Sequence, residues 1–256
     1  MSRLQLTSEQ QKVVDHFGTP LRVLAGPGTG KTFCIIEKIK KLVFEHKKPV
    51  NEICTITFTT AAAGELRSRL EKSGFKPNWL PYVNTLHSLA MRILRKHIKR
   101  AGLTKNFRPM DTLTEKILTK DIDQDLKDKN IKLKTYELKT YLHAYSQEKA
   151  EAGLPVDFKI NREKANILKK IERYYCDNLE FYNVVDWHDI LHKAIDLIES
   201  NTDISSEVHK ITQFLLVDEY QDLSPLGKAE GVWSTPLTKT VETQNLTSLI
   251  KRNMKN

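Results

Sequence analysis

Residues 25–32 read A-G-P-G-T-G-K-T, a glycine-rich turn that decides the fold of this chain. The apolar run at 21–25 precedes the turn and predicts a strand, and apolar residues at helical spacing over 35–43 predict a helix after it. A strand, a tight turn and a helix in this order present backbone N–H groups and the positive end of a helix dipole to an anion. The stretch therefore predicts a phosphate-binding loop, and the flanking elements disfavour the alternative of a chance glycine-rich turn.

The loop contains most of the side chains that nucleotide binding requires. Its first position holds Ala25, where the strict pattern has Gly. The ammonium group of Lys31 is expected to reach the β- and γ-phosphates of ATP, and the hydroxyl of Thr32 is expected to ligate Mg²⁺. The nucleotide-binding candidates of the loop are Ala25, Gly26, Pro27, Gly28, Thr29, Gly30, Lys31 and Thr32.

A pair of adjacent acids follows a second apolar run, at 214–217. A strand there would deliver both carboxylates to its carboxyl end, where ligands bind in open α/β sheets. Asp218 is expected to hold Mg²⁺, and Glu219 to orient and deprotonate the attacking water. Because 187 positions separate Lys31 from Asp218, a long insertion must lie between the two halves of the site.

The order of predicted elements indicates an α/β protein. Strands at 53–58, about 83–86 and 214–217 alternate with helices, which favours a parallel sheet. The strand pattern is absent from 96–205, where helices are expected at about 112–128, 136–150, 162–179 and 186–199. The expected domains are a nucleotide-binding domain at 1–95 and 206–225, a helical subdomain at 96–205, and a divergent Thr- and Ser-rich tail at 226–256.

The chain is basic. Its 256 residues include 41 Lys and Arg against 32 Asp and Glu, which gives a net charge of +9. Such a surplus permits binding to a phosphate backbone without establishing it. Residues 95–140 carry 13 Lys and Arg against 7 Asp and Glu, which fits either solvated helix faces or a subdomain that faces nucleic acid.

The remaining composition points to the cytoplasm. Cys34, Cys54 and Cys176 are odd in number and far apart, so we expect buried thiols in a reducing compartment. No apolar run reaches the length of about 18 residues that a membrane helix needs, and the first residues lack the apolar stretch of a signal peptide. These features favour a cytoplasmic protein with no membrane association.

Five segments occur in an order that resembles a known family. They read L-T-S-E-Q-Q-K-V-V, A-G-P-G-T-G-K-T, I-T-F-T-T-A-A-A-G-E-L-R, V-N-T-L-H-S-L-A and L-L-V-D-E-Y-Q-D-L-S-P. Together, over residues 4–225, they resemble the N-terminal half of the UvrD/Rep/PcrA superfamily 1 DNA helicases. The resemblance implies a RecA-like P-loop NTPase domain with a parallel sheet, plus an inserted all-helical subdomain.

The same resemblance implies further site residues, with ATP and Mg²⁺ as cofactors and single-stranded DNA as partner. Gln10 would hydrogen-bond the edge of the adenine, and Gln221 would couple nucleotide binding to the rest of the helicase. Lys38 stands where the family has an arginine near the nucleotide. The positions that match DNA contacts are Phe58, Thr59, Thr85 and His87. For Phe58 and His87, ordinary core packing is the alternative interpretation.

The resemblance ends after the acidic motif. The family continues with a second RecA-like domain whose arginines reach the γ-phosphate, and nothing in 226–256 resembles it. We therefore expect the ATP-binding part of a 3′-to-5′ DNA helicase, an ATP hydrolase that turns over slowly alone and does not unwind duplex DNA. The alternatives are a non-catalytic nucleic-acid and nucleotide binder, or one subunit of a split helicase. A split helicase predicts an exposed apolar patch on the nucleotide face and a partner chain with the second domain.

Overall fold

The fold is taken from a computed structural model, which describes residues 5–131, 133–148 and 162–220. The described residues form two compact units, residues 5–89 with 198–220 and residues 90–197. Helices and strands of the first unit are α1 (Ser8–Asp15), α2 (Lys31–Lys40), β1 (Ile53–Thr57), α3 (Thr60–Lys72), β2 (Tyr82–Thr85), the first turn of α4 (Leu86–Lys96), α9 (Thr202–Ile211) and β5 (Phe214–Val217). Those of the second are the rest of α4, β3 (Arg108–Pro109), α5 (Thr112–Asp128), α6 (Thr135–Glu148), α7 (Arg162–Phe181), β4 (Val184–Val185) and α8 (Trp187–Glu199).

A three-stranded parallel sheet organises the first unit. The strand order is β2-β1-β5, and Thr55 of β1 pairs with Val83 on one side and Leu216 on the other. All five residues of β1 are buried, as expected for a continuous β-branched run that is covered on both faces. The predicted parallel α/β sheet is confirmed, and the carboxyl ends of its strands meet at one edge.

The core of the first unit lies between the sheet and the helices that connect its strands. It joins residues from α2 and α3 to the strands, with Ile39 and Leu70 completely buried. The helix α2 continues into a π-helical turn at Lys41–Glu45, and a short 3₁₀ turn at Val50–Glu52 leads into β1. This packing fixes the start of α2 relative to the ends of the strands, where the loop at 25–32 lies.

The second unit is built mainly from helices around its own core. Helix α5 packs against α6 and α7, and Leu118, Ile122 and Leu138 are completely buried there. Helices α5 and α8, at Thr112–Asp128 and Trp187–Glu199, begin and end within one residue of the predicted bounds. The expected all-helical character is wrong in one respect, because β3 and β4 form a parallel two-stranded sheet. Strands of two residues leave no periodic pattern in a sequence.

The segment at 21–25 departs from prediction. Its residues form no strand in the structure, and Leu21, Val23 and Leu24 are 48%, 46% and 82% exposed. A strand needs a hydrogen-bonded neighbour, and within the described residues β5 pairs with β1 alone. An apolar run of strand composition is therefore present without the backbone pairing that would make it a strand.

The cysteines differ from one another in burial. Cys54 is buried in β1, Cys34 is half-buried and Cys176 is exposed, so the expectation that all three are buried is wrong for Cys176. Helix α7 presents Cys176 to solvent because the apolar face of the helix lies on other positions, such as Ile171 and Tyr175. Within the described part of the chain, no helix is both long and apolar enough to cross a membrane.

Candidate nucleotide-binding site

The glycine-rich loop is open to solvent and ends at the start of α2. Gly28 and Gly30 have φ values of +73° and +87°, which residues with a side chain rarely adopt. Gly30 is the N-cap of α2 and offers no side chain to the first turn, so the earliest intrahelical bond runs from Cys34 N to Gly30 O at 2.9 Å. The free N–H groups of this turn, which includes half-buried Thr32, point toward the loop and suit an anion.

The ammonium group of Lys31 connects the loop to the acidic pair. Lys31 Nζ lies 3.5 Å from Glu219 Oε1 and 3.4 Å from the carbonyl oxygens of both Ala25 and Gly26. The fold thereby brings Lys31 of α2 close to the acids that follow β5, although Asp218 lies 187 positions after Lys31 in the sequence. Because both side chains are partly exposed, this ion pair contributes little to stability and is free to exchange partners.

The two acids sit at the carboxyl end of β5 in different environments. Asp218 N donates to Ile56 O of β1 at 2.8 Å, which fixes the aspartate to the sheet. Its carboxylate accepts a hydrogen bond from Glu219 N at 3.1 Å. Glu219 has a φ of +48°, an uncommon value for a residue other than glycine. Asp218 is thus fixed to β1 through its backbone, while the side chain of Glu219 reaches Lys31.

The surroundings of the Asp218 carboxylate disfavour its charged form. Burial is the main cause that raises the pKa of Asp218, and the negative charge of Glu219 raises it further. The nearby ammonium of Lys31 lowers it by less. A carboxylate that is crowded by a second carboxylate and partly removed from water gains stability from a divalent cation.

Gln10 fastens α1 to the glycine-rich loop. Its side-chain oxygen accepts from Thr7 N at 2.9 Å, while Thr7 Oγ1 accepts from Gln10 N at 3.2 Å, a capping box that begins α1. The amide nitrogen of the same side chain donates to Thr29 O at 2.9 Å. Both ends of the Gln10 amide are thus engaged, and reading an adenine would require exchange of these contacts.

The ends of β1 and β2 bring the candidate DNA contacts together. Thr57 and Thr85 are partners in the register of the two strands, so the residues that follow them share one edge of the sheet. Phe58 is 55% exposed, which excludes core packing as its role and leaves its ring accessible for stacking. Thr59 is the N-cap of α3, and its hydroxyl accepts from Ala62 N at 3.1 Å.

The corresponding residues after β2 are less exposed. Thr85 Oγ1 lies 2.9 Å from Ser88 Oγ and accepts from Ser88 N at 3.3 Å, so it caps the first turn of α4. His87 lies in that turn and is half-buried. The hydroxyl groups of Thr59 and Thr85 therefore already have hydrogen-bond partners within the fold. Because both residues cap helices, the N-termini of α3 and α4 lie at this edge of the sheet.

One predicted nucleotide residue lies apart from this arrangement, and another is not among the described residues. Lys38 Nζ donates to the carbonyl oxygens of Val14, at 3.0 Å, and His16, at the end of α1. Burial is the main cause that lowers the pKa of Lys38, followed by repulsion from Lys41. Gln221 lies outside the described residues.

The sequence patterns missed two hydroxyl side chains that shape the edge. Thr57 is 1% exposed, and its hydroxyl donates to Thr59 O at 3.0 Å, which holds the turn that carries Phe58. Ser88 takes the matching position beside Thr85. The signal available for both was a hydroxyl residue at a strand end or in the first turn of a helix, where side chains bond to nearby backbone.

Sequence comparisons relate this chain to known helicases. The UvrD/REP helicase N-terminal domain family matches residues 6–228. The ATP-dependent DNA helicase PcrA of Staphylococcus epidermidis is 31% identical over 219 residues, which cover 85% of this chain and 30% of that helicase. PcrA of Staphylococcus aureus is 29% identical over 219 residues with the same coverage. The chain thus spans about a third of the length of these relatives, and it belongs to the UvrD/REP helicase N-terminal domain family.

Proposed function

We propose that this chain binds and hydrolyses ATP with Mg²⁺ at the edge formed by the glycine-rich loop and the acidic pair. The distance of 3.5 Å between Lys31 Nζ and Glu219 Oε1 supports the proposal most directly. It joins the phosphate-binding lysine to the acids expected to hold the metal and activate water. The PcrA relatives are named ATP-dependent DNA helicases, which supports the same chemistry.

Each group has a distinct role in the proposed reaction. Lys31 leaves Glu219 and binds the β- and γ-phosphates, so that Glu219 is released to accept the proton of the attacking water. The Thr32 hydroxyl and the Asp218 carboxylate would hold Mg²⁺, which would supply positive charge to offset the charge that develops on the phosphates.

Single-stranded DNA is the proposed second ligand. Phe58 presents an exposed ring at the end of β1, and bases stack on such rings without sequence preference. Thr59, Thr85 and His87 lie at the ends of the same two strands and are proposed to contact the phosphate backbone. Gln10, Lys38 and Gln221 remain proposed nucleotide contacts on the basis of family resemblance.

The wider role follows from the family. We propose that the chain is the ATP-binding part of a 3′-to-5′ DNA helicase that acts in the cytoplasm. The proposal includes a RecA-like fold for the first unit, the helical insertion at 96–205, and joint action with a second RecA-like domain, as the family resemblance implies. Strand separation is assigned to the combination of both domains, since unwinding requires two domains that move against each other on the strand.

The test is ATP binding and hydrolysis by the purified chain, with and without a single-stranded oligonucleotide. Lys31→Ala should weaken ATP binding by roughly 10- to 100-fold, the loss of one or two charge-assisted hydrogen bonds, and abolish DNA-stimulated turnover. Lys127→Ala is the matched control, since Lys127 is an exposed lysine whose partner is Asp123 on the same helix. Equal ATP affinity in wild type and Lys31→Ala would contradict the proposal. Unchanged DNA affinity with no turnover in either protein would favour the non-catalytic binder.

The DNA proposal has its own test. Phe58→Ala should weaken binding of a fluorescent oligothymidine by about 5- to 100-fold, because one stacked base is lost. Phe44→Ala provides a control, since Phe44 is also exposed, at 41%, but packs against Phe75 instead of lying at the strand ends. Equal weakening by both substitutions would show that the effect is not specific to the proposed site.

A further inference from the structure

The exposure of Phe58 departs from the alternation of β1. Side chains of a strand alternate between its two faces, so Phe58 would follow Cys54 and Ile56 if β1 continued. Cys54 and Ile56 are 1% and 0% exposed, whereas Phe58 is 55% exposed. The strand ends at Thr57, and the chain bends at 58–59 before α3 begins. The bend, and not the strand, therefore sets the direction of the Phe58 ring.

A hydrogen bond from a buried hydroxyl closes this bend. Thr57 Oγ1 donates to Thr59 O at 3.0 Å, and Thr57 is 1% exposed. Thr59 O also accepts from Ala63 N of α3, at 3.1 Å. One carbonyl oxygen thus receives a bond from the last residue of β1 and another from the first turn of α3. Phe58 lies between the strand and the helix that this oxygen joins.

Both ends of the bend are anchored in regular structure. Thr57 pairs with Thr85 of β2 in the register of the sheet. Thr59 is the N-cap of α3, and its hydroxyl accepts from Ala62 N at 3.1 Å. The hydroxyl of Thr57 restricts the freedom that Phe58 keeps between these two anchors. A ring that is held in its binding orientation before the ligand arrives loses less conformational entropy on binding.

Thr55 provides an internal comparison for Thr57. It lies two positions earlier on the same face of β1, and it is 0% exposed. Its hydroxyl has no hydrogen-bond partner within the part of the chain that the structure describes. The two threonines thus share strand, face and burial, and the hydrogen bond to the bend belongs to Thr57.

We infer that Thr57 is a positioning residue for single-stranded DNA, because its buried hydroxyl holds the bend at 58–59 and keeps the ring of Phe58 presented to a base. This role rests on the proposed stacking of bases on Phe58. Thr57 is too deeply buried to contact DNA itself. Because stacking involves no counterion release, the contribution of Thr57 should not depend on salt, whereas contacts of Lys or Arg with phosphate weaken as salt rises.

Binding of a fluorescent oligothymidine to the full chain tests this role. Thr57→Val keeps the shape of the side chain but removes the donor, and it should weaken binding about three- to tenfold, the effect of one hydrogen bond. Thr57→Ser keeps the hydroxyl and should restore the affinity to within about twofold of wild type. Thr55→Val is the matched control and should leave both DNA affinity and the urea midpoint undiminished, because it removes no hydrogen bond to the bend.

A double-mutant cycle with Phe58→Ala separates positioning from general damage to the sheet edge. If Thr57 acts through the ring, Thr57→Val should weaken binding by less than about 1.5-fold in a chain that already carries Phe58→Ala. The slope of log affinity against log salt concentration should be the same in Thr57→Val as in wild type, since no charged phosphate contact is lost. Equal weakening with and without the Phe58 ring, or a changed slope, would overturn the positioning role.

Failure of this role and failure of the proposed DNA site give different results. If Phe58→Ala bound DNA as tightly as wild type, the DNA site and the role of Thr57 would both be contradicted. Weak binding by Phe58→Ala with full affinity in Thr57→Val would leave the DNA site standing and overturn the positioning role alone. Equal losses in Thr55→Val and Thr57→Val would also overturn it, because the loss would then come from the interior of the sheet and not from the bend.

Discussion

Asp218 combines its proposed role in holding Mg²⁺ with a cost in stability. Burial and the adjacent Glu219 raise its pKa above the ordinary value of 3.8, so the folded chain keeps the proton to a higher pH than the unfolded chain does. The folded state then binds more protons between these two pKa values, and the free energy of unfolding falls as the pH rises through that window. Above the raised pKa the loss is complete, and it persists at neutral pH unless a cation binds.

Asp218→Asn should therefore stabilise the nucleotide-free chain at pH 7 while weakening Mg²⁺-dependent ATP binding. The gain should be about 0.5–1 kcal/mol, since the side chain is only half-buried, and it should shrink as the pH falls toward 4. Urea unfolding between pH 4 and 8 measures it. Asp111→Asn is the control and should lower the free energy of unfolding at pH 7, because hydrogen bonds from Thr114 hold the pKa of Asp111 below its usual range. A destabilised Asp218→Asn chain at pH 7 would contradict the account.

Gly30 is the residue on which the loop conformation depends most. Its φ is +87°, and a Cβ there would lie 2.9 Å from the side-chain nitrogen of Gln10. Gly30→Ala should destabilise the chain by about 1–2 kcal/mol and weaken ATP binding more than tenfold, because the left-handed backbone is strained and the contact between Gln10 and Thr29 is displaced. Titration calorimetry with ATP and urea unfolding measure the two effects.

Gly64 provides the matched control for that substitution. It lies within α3, and a Cβ there would meet only the end of the Arg67 side chain, at 3.9 Å. Gly64→Ala should stabilise the chain by about 0.5–1 kcal/mol through the helix propensity of alanine and leave ATP affinity unchanged. Similar behaviour of the two variants would mean that the loop conformation does not depend on Gly30.

At the scale of elements, the helix caps at the sheet edge serve both the fold and the candidate DNA site. Thr59→Ala removes the side chain that accepts from Ala62 N and should destabilise the chain by about 1 kcal/mol. Thr59→Ser keeps the hydroxyl and should restore both stability and affinity for single-stranded DNA. Urea unfolding and fluorescence anisotropy separate the effects. Weak DNA binding by a fully stable Thr59→Ser chain would show that the methyl group, and not the cap, matters.

The sequence predicted those elements whose residues match their final environment. Strand β1 is β-branched and buried on both faces, and α5 has an Asp111 cap with apolar residues at helical spacing, so both could be located from the pattern. The run at 21–25 has the composition of a strand but depends on a neighbour that the described residues do not provide. Strands β3 and β4 are too short for any periodicity.

The same limit applies within the site. Lys31, Asp218 and Glu219 could be predicted to meet because parallel strands end at one edge of a sheet. The contact of Lys38 with the end of α1 could not, since a lysine on a helix gives no sign of which distant carbonyl it will reach. The Gln10 side-chain amide bonds both Thr7 and Thr29, and the contact with Thr29 depends on the path of the loop. The φ values of the loop glycines set that path, and the sequence pattern does not reveal them.

For the whole molecule, the described residues divide into two units with separate cores. The core of the first unit includes Leu66, which is 1% exposed, and that of the second includes Leu118, which is fully buried. Every candidate nucleotide residue that the structure describes belongs to the first unit, as do the candidate DNA residues. Damage to the second core should therefore leave the ATP site largely intact.

Leu118→Ala should destabilise the second unit by about 2–5 kcal/mol, the cost of a cavity in a packed core, while ATP affinity changes less than twofold. Trp187 reports on the second unit and Trp79 on the first, so urea titrations of variants that retain one tryptophan each follow the units separately. Only the Trp187 transition should move. Leu66→Ala is the matched control and should move the Trp79 transition and weaken ATP binding. If Leu118→Ala shifted both transitions equally, the units would unfold as one cooperative body, and the assignment of nucleotide binding to the first unit alone would lose its physical basis.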